Sequence, residues 1–456
     1  MFIEDKANST TASNRQLILI SLDWGRPKDP PLSLGHASIL THMTLSGLDV
    51  IPSSWSVADP HFKVQDVIDF IMKHAGDSRD VGLGAFVWNE PHIQRIIRTL
   101  KRRSFPGRII LGGSQVSYTK RDLETYYPEV DIFVRGYAED ALVQLFSSGQ
   151  LYPSISGVHY AGRPDGGHSA VAELDAVASP YLTGILPAQP FVRWETQRGC
   201  PFRCAFCQHR ESDLTRKHRY LNTQRIFDEI DFFLQNPIVQ DIAVLDPVFN
   251  SGDRYLSILE RLSNGGYTGK LALQCRIEMI SDDFLERVVA LNKTGNVVLE
   301  FGLQTIHPAE ERQIQRPNNM KLVREVLTET KRRNIQTEVS LIFGLPEQTV
   351  TSFQQSINFC KSMNVGTIYA YPLRLHRGTP LYDRQKELGL VEAELHAENN
   401  TGDLIPHVVS SPSFTAEDWY EMAELAKGLD GYNAGYEPKM MKTLKHTAWA
   451  DVIAAS

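Results

Sequence analysis

No stretch of this chain approaches the ~20 consecutive apolar residues that a membrane-spanning helix needs, so neither a bilayer span nor a membrane partner is expected. Cysteine is scarce: 5 in 456 residues, too few for a disulfide-built scaffold. An excess of positive charge is missing as well. The formal net charge is −7, which argues against a nucleic-acid binder working through a global positive field. Three basic runs exist, at 101–103, 216–219 and 331–333, and the first and last fall on amphipathic helix patterns as solvated faces. Internal repeats and long low-complexity tracts are lacking. Residues 1–15 are polar and acid-bearing with no apolar centre, so they read as a flexible N-terminus and not as a secretory signal. These absences point to a cytoplasmic protein with reduced thiols. Its length allows two or three domains, and its composition, 42% apolar and 22% charged, is that of an ordinary globular chain.

The scarce cysteines are not scattered. Cys200, Cys204 and Cys207 share the run from Arg198 to Cys207, directly after an apolar segment that reads as a strand. Three thiolates on one short loop are soft ligands, suited to an iron–sulfur cluster or to zinc. Three ligands leave one iron of a 4Fe–4S cluster open for chemistry. A closed zinc site needs a fourth ligand, and His209 stands two residues beyond. Cys275, at a strand end, and Cys360, in a helix pattern, read as core packing.

Alternating apolar strands and helical periodicities organise the rest. In residues 16–150, strands are predicted at 17–21, 48–52, 81–87, 108–111 and 130–135, with helices at 34–45, 64–73, 91–102, 120–126 and 139–147. Five such units predict a doubly wound, flavodoxin-like (Rossmann-type) parallel sheet whose ligand crevice lies beyond the carboxyl ends of its strands. Trp88, Gly112, Gly113, Ser114, Gly136 and Glu139 all follow those ends. Residues 151–190, rich in Gly, Pro and Ala, read as a linker. A second series, 191–394, predicts six strands at 191–196, 242–246, 270–275, 297–303, 337–343 and 367–373, each followed by a helical pattern. Six units fit a partial (β/α)6 barrel with its active face at the strand C-termini. Residues 395–456 read as a small helical element, with helices at 416–427 and 438–447.

The spacing Cys-x3-Cys-x2-Cys, with Phe206 directly before the last cysteine, resembles the radical S-adenosylmethionine superfamily. That resemblance implies that Cys200, Cys204 and Cys207 bind a 4Fe–4S cluster, that S-adenosylmethionine chelates the open iron, and that Phe206 packs near the adenine. Reductive cleavage would then yield a 5′-deoxyadenosyl radical that abstracts hydrogen from a small-molecule substrate, with flavodoxin or ferredoxin as electron donor. Asp246, Asn250, Arg276, Glu278, Glu300 and Gln304 lie at barrel strand ends where this superfamily meets S-adenosylmethionine. Glu300 and Gln304, an even number of residues apart on one strand, should share a face. Tyr369, Tyr371, Arg374 and His376, near the last strand, are the substrate candidates.

The order of the parts, sheet domain then linker then barrel, resembles the subgroup with an N-terminal cobalamin-binding domain. Many of its members methylate unactivated carbon, so cobalamin-dependent C-methylation in specialised-metabolite biosynthesis is the expected activity. Trp88, Gly112, Gly113, Ser114, Gly136 and Glu139 are then the expected cobalamin contacts. One departure matters: no Asp-x-His-x-x-Gly occurs in the first domain, and His36 and His42 fall on its first helix pattern as packing residues. Cobalamin, expected here, would therefore be held without a histidine ligand. Without cobalamin the same barrel would support dehydrogenation or rearrangement of a small metabolite such as an amino acid. A non-catalytic cluster or zinc protein is the remote third reading.

Overall fold

The computed structural model describes residues 15–25, 28–30, 32–209, 219–396 and 404–431. The N-terminal residues 1–14, most of the basic run at 216–219 and the helix expected at 438–447 lie outside the described residues. Contacts divide the chain into two compact units; the first holds Leu32–Ser56, Phe62–Ile185 and the residues up to Asp23.

In the first unit β1 (Gln16–Asp23), β2 (Val50–Ser56), β3 (Arg79–Gly84), β4 (Ile109–Gly112) and β5 (Ile132–Val134) form a parallel sheet in the order 2-1-3-4-5. The order is that of the flavodoxin-like fold. Helices α1 (Leu34–Leu45), α2 (Val64–Lys73), α3 (Glu90–Arg102), α4 (Ser114–Ser117), α5 (Leu123–Tyr126) and α6 (Ala138–Ser147) connect the strands. β1 is central and buried on both faces, as its nearly unbroken apolar run demands. Leu17, Leu19, Leu40, Met43, Ile110, Leu142 and Phe146 join β1, β4, α1 and α6 in one core.

A sixth strand, β6 (Val158–Tyr160), pairs antiparallel with β5, and Ala170 bridges to Gly136. The segment read as a linker from 151 to 190 therefore joins this sheet at 158–160 and at Ala170, and the compact unit runs on to Ile185. Three residues are too short a strand to leave a period in the sequence. What holds them is tertiary: the Arg135 guanidinium, 2% exposed, grips Asp165 at 2.6 Å.

The second unit carries six parallel strands: β7 (Phe191–Trp194), β10 (Asp241–Val244), β11 (Lys270–Cys275), β12 (Asn296–Gln304), β13 (Gln336–Phe343) and β14 (Thr367–Pro372), neighbours in chain order. A two-residue ribbon, β8 (Gln197–Arg198) with β9 (Arg219–Tyr220), follows β7. The helices are α7 (Thr223–Gln235), α8 (Tyr255–Asn264), α9 (Asp282–Leu291), α10 (Pro308–Gln313), α11 (Met320–Arg332), α12 (Val350–Ser362) and α13 (Pro380–Asp383). Asn222, Ser281, Asn319 and Thr349 cap α7, α9, α11 and α12 with side-chain oxygens, which sets where four of the helices begin.

Alternation along the strands sorts two faces. Val192, Trp194, Ile242, Leu271, Leu273, Cys275, Leu299, Phe301, Val339 and Leu341 are buried. The opposite face carries Lys270, Gln274, Glu300, Glu338, Ser340 and Tyr369, half-buried or exposed, with Lys270 3.8 Å from Glu338. β14 is followed by an antiparallel hairpin, β15 (Val391–His396) with β16 (Leu404–Ser410), and by α14 (Ala416–Lys427). The C-terminal element is thus partly β, a correction to the all-helical reading; alternation in β16 is hidden because its residues pack on the barrel, with Val408 N–H donating to Leu373 O at 3.0 Å. Among the described residues no helix is long and apolar enough to cross a membrane.

Candidate active site at the cysteine loop

Strand β7 delivers the chain to the cysteine loop, and buried polar contacts hold its exit. Trp194 Nε1–H donates to Glu229 Oε2 on α7 at 2.7 Å. Asp246, just past β10 and 0% exposed, accepts from the Thr196 N–H at 2.8 Å, the Gln197 N–H at 3.2 Å and the Thr196 hydroxyl. Burial pushes its carboxyl up to about 7 in spite of those donors. Asp246 thus anchors the loop; as a fully enclosed group engaged with its own chain, it departs from the expected ligand contact.

The loop itself is clamped from two sides. The Ala205 N–H donates to Ile314 O, beyond α10, at 2.7 Å, and the Leu381 N–H of α13 donates to Ala205 O at 3.0 Å. Gln208 Nε2 donates to Arg377 O at 3.2 Å. Segments following β12 and β14 therefore grip a loop that begins after β7. All three lie at the carboxyl edge of the sheet.

Asn250 and Arg276 also act on protein groups. Asn250, 1% exposed, pairs through its side-chain amide with the main chain of Arg276. The Arg276 guanidinium lies 4.7 Å over the ring of Phe202, inside the cysteine loop, while it pairs with Glu278 at 2.6 Å and donates to Pro317 O at 2.8 Å. Asn250, Arg276 and Glu278 form a chain of contacts supporting the loop from the end of β11. Phe206 is half-buried.

Glu300 and Gln304 are both half-buried on β12, between buried Phe301 and Leu303. Gln304 adopts φ +69, and the pairing of β12 with β13 is irregular between Gly302 and Gln304. A non-glycine residue in that region is strained, and such strain gathers at functional sites. Arg316 meets this bulge: Nη2 donates to Gly302 O and Nη1 stands 3.8 Å from Cys204 Sγ. Sequence reasoning missed Arg316, because its partners are 14 and 112 residues away.

Cys204 is buried and Cys200 and Cys207 are half-buried, as thiolates around a shielded group should be. Among the described residues no three His, Cys, Asp or Glu side chains converge on a point that one ion could occupy. A cubane takes each of the three thiolates on a different iron. The buried Arg316 Nε, a donor with no partner, also fits an anionic group beside the loop. Cys275, on the buried face, has its thiol raised by burial, and so has Cys360 at about 12; both pack the core.

Near the last strand, Tyr369 and Tyr371 stack with centroids 6.1 Å apart, Tyr371 being 44% exposed. Arg374 Nε–H donates to His407 Nε2 at 2.8 Å, and His407 Nδ1 meets Ile405 O at 2.8 Å. A carbonyl only accepts, so Nδ1 carries the proton and Nε2 is the acceptor. Desolvation lowers Arg374 to about 10, and desolvation followed by the Arg374 charge lowers the half-buried His376 to about 4. His407, from the C-terminal hairpin, is another residue that the sequence reading lacked.

The expected cobalamin contacts divide. Gly113 has φ +90, and a Cβ there would lie 2.5 Å from Ala85 O; at Gly136, φ +78, it would lie 2.3 Å from Ala170 O. Both glycines are required by neighbouring backbone. Glu139 is buried between α1 and α6, accepting from Ser38 Oγ at 2.8 Å, so it ties two helices together. His36 is buried in α1 and His42 pairs with Asp140 at 2.7 Å, both as packing residues. Gly112 ends β4 and Ser114 begins the four-residue α4. Trp88 stacks on Phe86 at 4.7 Å and 5°, and its indole N–H, like that of Trp55 at the end of β2, is buried without a partner. Those two orphaned donors lie at or just beyond the carboxyl ends of the strands flanking β1, where a doubly wound sheet takes its ligand.

Residues 194–360 match the family model of the radical SAM superfamily. The chain is 23% identical over 413 residues to a 2-(S-pantetheinyl)-carbapenam-3-carboxylate methyltransferase of Streptantibioticus cattleyicolor, covering 81% of this chain and 59% of the relative. It is 24% identical over 368 residues to the cobalamin-dependent radical SAM methyltransferase TokK of Streptomyces tokunonensis, covering 74% and 52%. The chain thus spans between half and six-tenths of the length of these relatives. The fold is similar to that of the radical S-adenosylmethionine methyltransferase TsrM of Kitasatospora setae, solved with tryptophan and a SAM analogue. The TM-score is 0.70 at 14% identity, covering 90% of this chain and 89% of that one. A clamped three-cysteine loop at the carboxyl edge of six parallel strands lies within the residues that match the family model, so this chain carries a radical SAM domain.

Proposed function

We propose that this protein methylates an unactivated carbon of a small anionic metabolite in specialised-metabolite biosynthesis, with cobalamin as methyl carrier. The observation that carries the reading is the clamped cysteine loop in a chain whose other unit has the strand order 2-1-3-4-5 and two orphaned indole N–H groups at its strand ends. The methyltransferase names of the two curated relatives support it.

When bound, the cluster supplies the electron that cleaves S-adenosylmethionine to a 5′-deoxyadenosyl radical, and cobalamin supplies the methyl group. This chain's own residues do the rest. Cys200, Cys204 and Cys207 hold the cluster, on a loop kept in place by Asp246 and by the two hydrogen bonds of Ala205. Glu300 and Gln304 offer polar groups to S-adenosylmethionine from β12. Trp55 and Trp88 meet cobalamin at the strand ends of the first unit. Arg374, oriented by His407, takes a substrate carboxylate, with Tyr369 and Tyr371 beside the same strand end.

The balance is testable. One C–H bond becomes C–CH3 at the expense of two S-adenosylmethionine molecules and two electrons, releasing S-adenosylhomocysteine, 5′-deoxyadenosine and methionine. Anaerobically reconstituted protein, supplied with candidate metabolites and dithionite, should contain a corrin and form both nucleosides in equal amounts with the methylated product. Full activity without corrin, or 5′-deoxyadenosine alone with a dehydrogenated product, overturns the methylation reading.

A further inference from the structure

A guanidinium lies against the cysteine loop with no carboxylate to balance it among the described residues. Arg316 is 8% exposed, and its partners among the described residues are a carbonyl, Gly302 O, and a sulfur, Cys204 Sγ at 3.8 Å. Among the described residues no Asp or Glu pairs with it, and its Nε is buried without an acceptor. Other buried arginines of this chain differ: Arg135 has Asp165 at 2.6 Å and Arg276 has Glu278 at 2.6 Å. Burying a cation without an anion is costly. Among the described residues no carboxylate offsets that cost at Arg316, and the sulfur it touches belongs to the three-cysteine set.

We propose that Arg316 is an electrostatic partner of the iron–sulfur centre, placed so that the centre is easier to reduce. This rests on the reading that Cys200, Cys204 and Cys207 hold a cluster. Reduction adds one negative charge to the centre. A cation touching one ligand sulfur favours the reduced form more than the oxidised one, and an N–H···S contact acts in the same direction. The enclosed position keeps water from screening the effect. Because Arg316 also holds the carbonyl at the β12 bulge, the same side chain fixes the distance between its charge and the loop.

The test is an anaerobic redox titration followed by electron paramagnetic resonance, on reconstituted wild type, Arg316→Lys, Arg316→Gln and Arg316→Met, with iron and sulfide assayed for each. Arg316→Gln and Arg316→Met should lower the ratio of reduced to oxidised cluster at a fixed solution potential by tenfold or more, which is 59 mV for one electron. Arg316→Lys, which keeps the charge, should stay closer to wild type. Equal potentials in clusters of equal iron content overturn the proposal. So does a change confined to the affinity for S-adenosylmethionine, which would make Arg316 a ligand contact. If Arg316→Met fails to take up iron, Gln against Lys decides by the same criterion; failure of all three to hold iron makes Arg316 a folding residue and again overturns it. A wild type that binds no iron refutes the cluster reading itself, a result separable from the others.

Discussion

The side chain of Asn250 pairs with the main chain of Arg276 as one strand pairs with another: Nδ2–H donates to Arg276 O at 2.9 Å, and the Arg276 N–H donates to Oδ1 at 2.8 Å. This buried pair fixes the residue whose guanidinium covers Phe202 in the cysteine loop. Asn250→Leu leaves both main-chain groups unpaired, at about 1–3 kcal/mol each. A fall in unfolding free energy of that size, measured in urea, should accompany reduced iron uptake by the loop; unchanged stability would refute the account.

Asp246 makes stability depend on pH in a defined direction. Its native carboxyl is raised from 3.8 to about 7 by burial, so the folded state keeps a proton that the unfolded chain releases. Its contribution therefore weakens as pH rises from about 4 to about 7 and is then constant. Asp246→Asn should flatten this part of the profile, removing roughly a one-proton slope, as the difference between wild-type and variant unfolding free energies at about pH 5 and about pH 8 would reveal.

Asp80 carries the opposite sign. Burial raises its carboxyl, but hydrogen bonds from Arg15 and Arg108 outweigh that and hold it below the ordinary 3.8. Its contribution is present above that value and is lost as pH falls through the lowered one. Asp80, 0% exposed, is gripped by Arg108 at 2.7 Å. Asp80→Asn should cost about 3–5 kcal/mol at neutral pH and shift the onset of acid unfolding, followed by circular dichroism.

Gly113 should tolerate no side chain. With φ +90 and a Cβ 2.5 Å from Ala85 O, Gly113→Ala should destabilise the first unit by more than ~1 kcal/mol. Loss of corrin with thermal stability intact would instead make this glycine a ligand contact.

Cysteine variants separate the loop from the core. Cys200→Ala, Cys204→Ala and Cys207→Ala should each lose most of the reconstituted iron, whereas Cys275→Ala and Cys360→Ala should retain it, since the last two thiols are buried outside the loop. Iron retained at wild-type level in any loop variant would sink the three-ligand assignment.

The amino-acid sequence by itself determined the parallel strands and the crowding of thiols in the loop. Apolar patterning marked every parallel strand of both sheets, because a strand buried on one or both faces must carry its pattern in contiguous residues; the short antiparallel β6 carried none. Ligands crowded into ten residues are legible for the same reason: their spacing is a property of one short segment. Tertiary structure alone decided what the isolated polar residues do. Asp246 and Glu139 stand at strand or helix ends like ligand contacts, yet their oxygens meet Thr196 and Ser38, 50 and 101 residues away. Arg316 and His407 carried no local signal, since a charge acquires its role from whatever the fold brings within a few ångströms. Linear order encodes what a segment must bury, and only the folded chain settles which buried polar groups face one another.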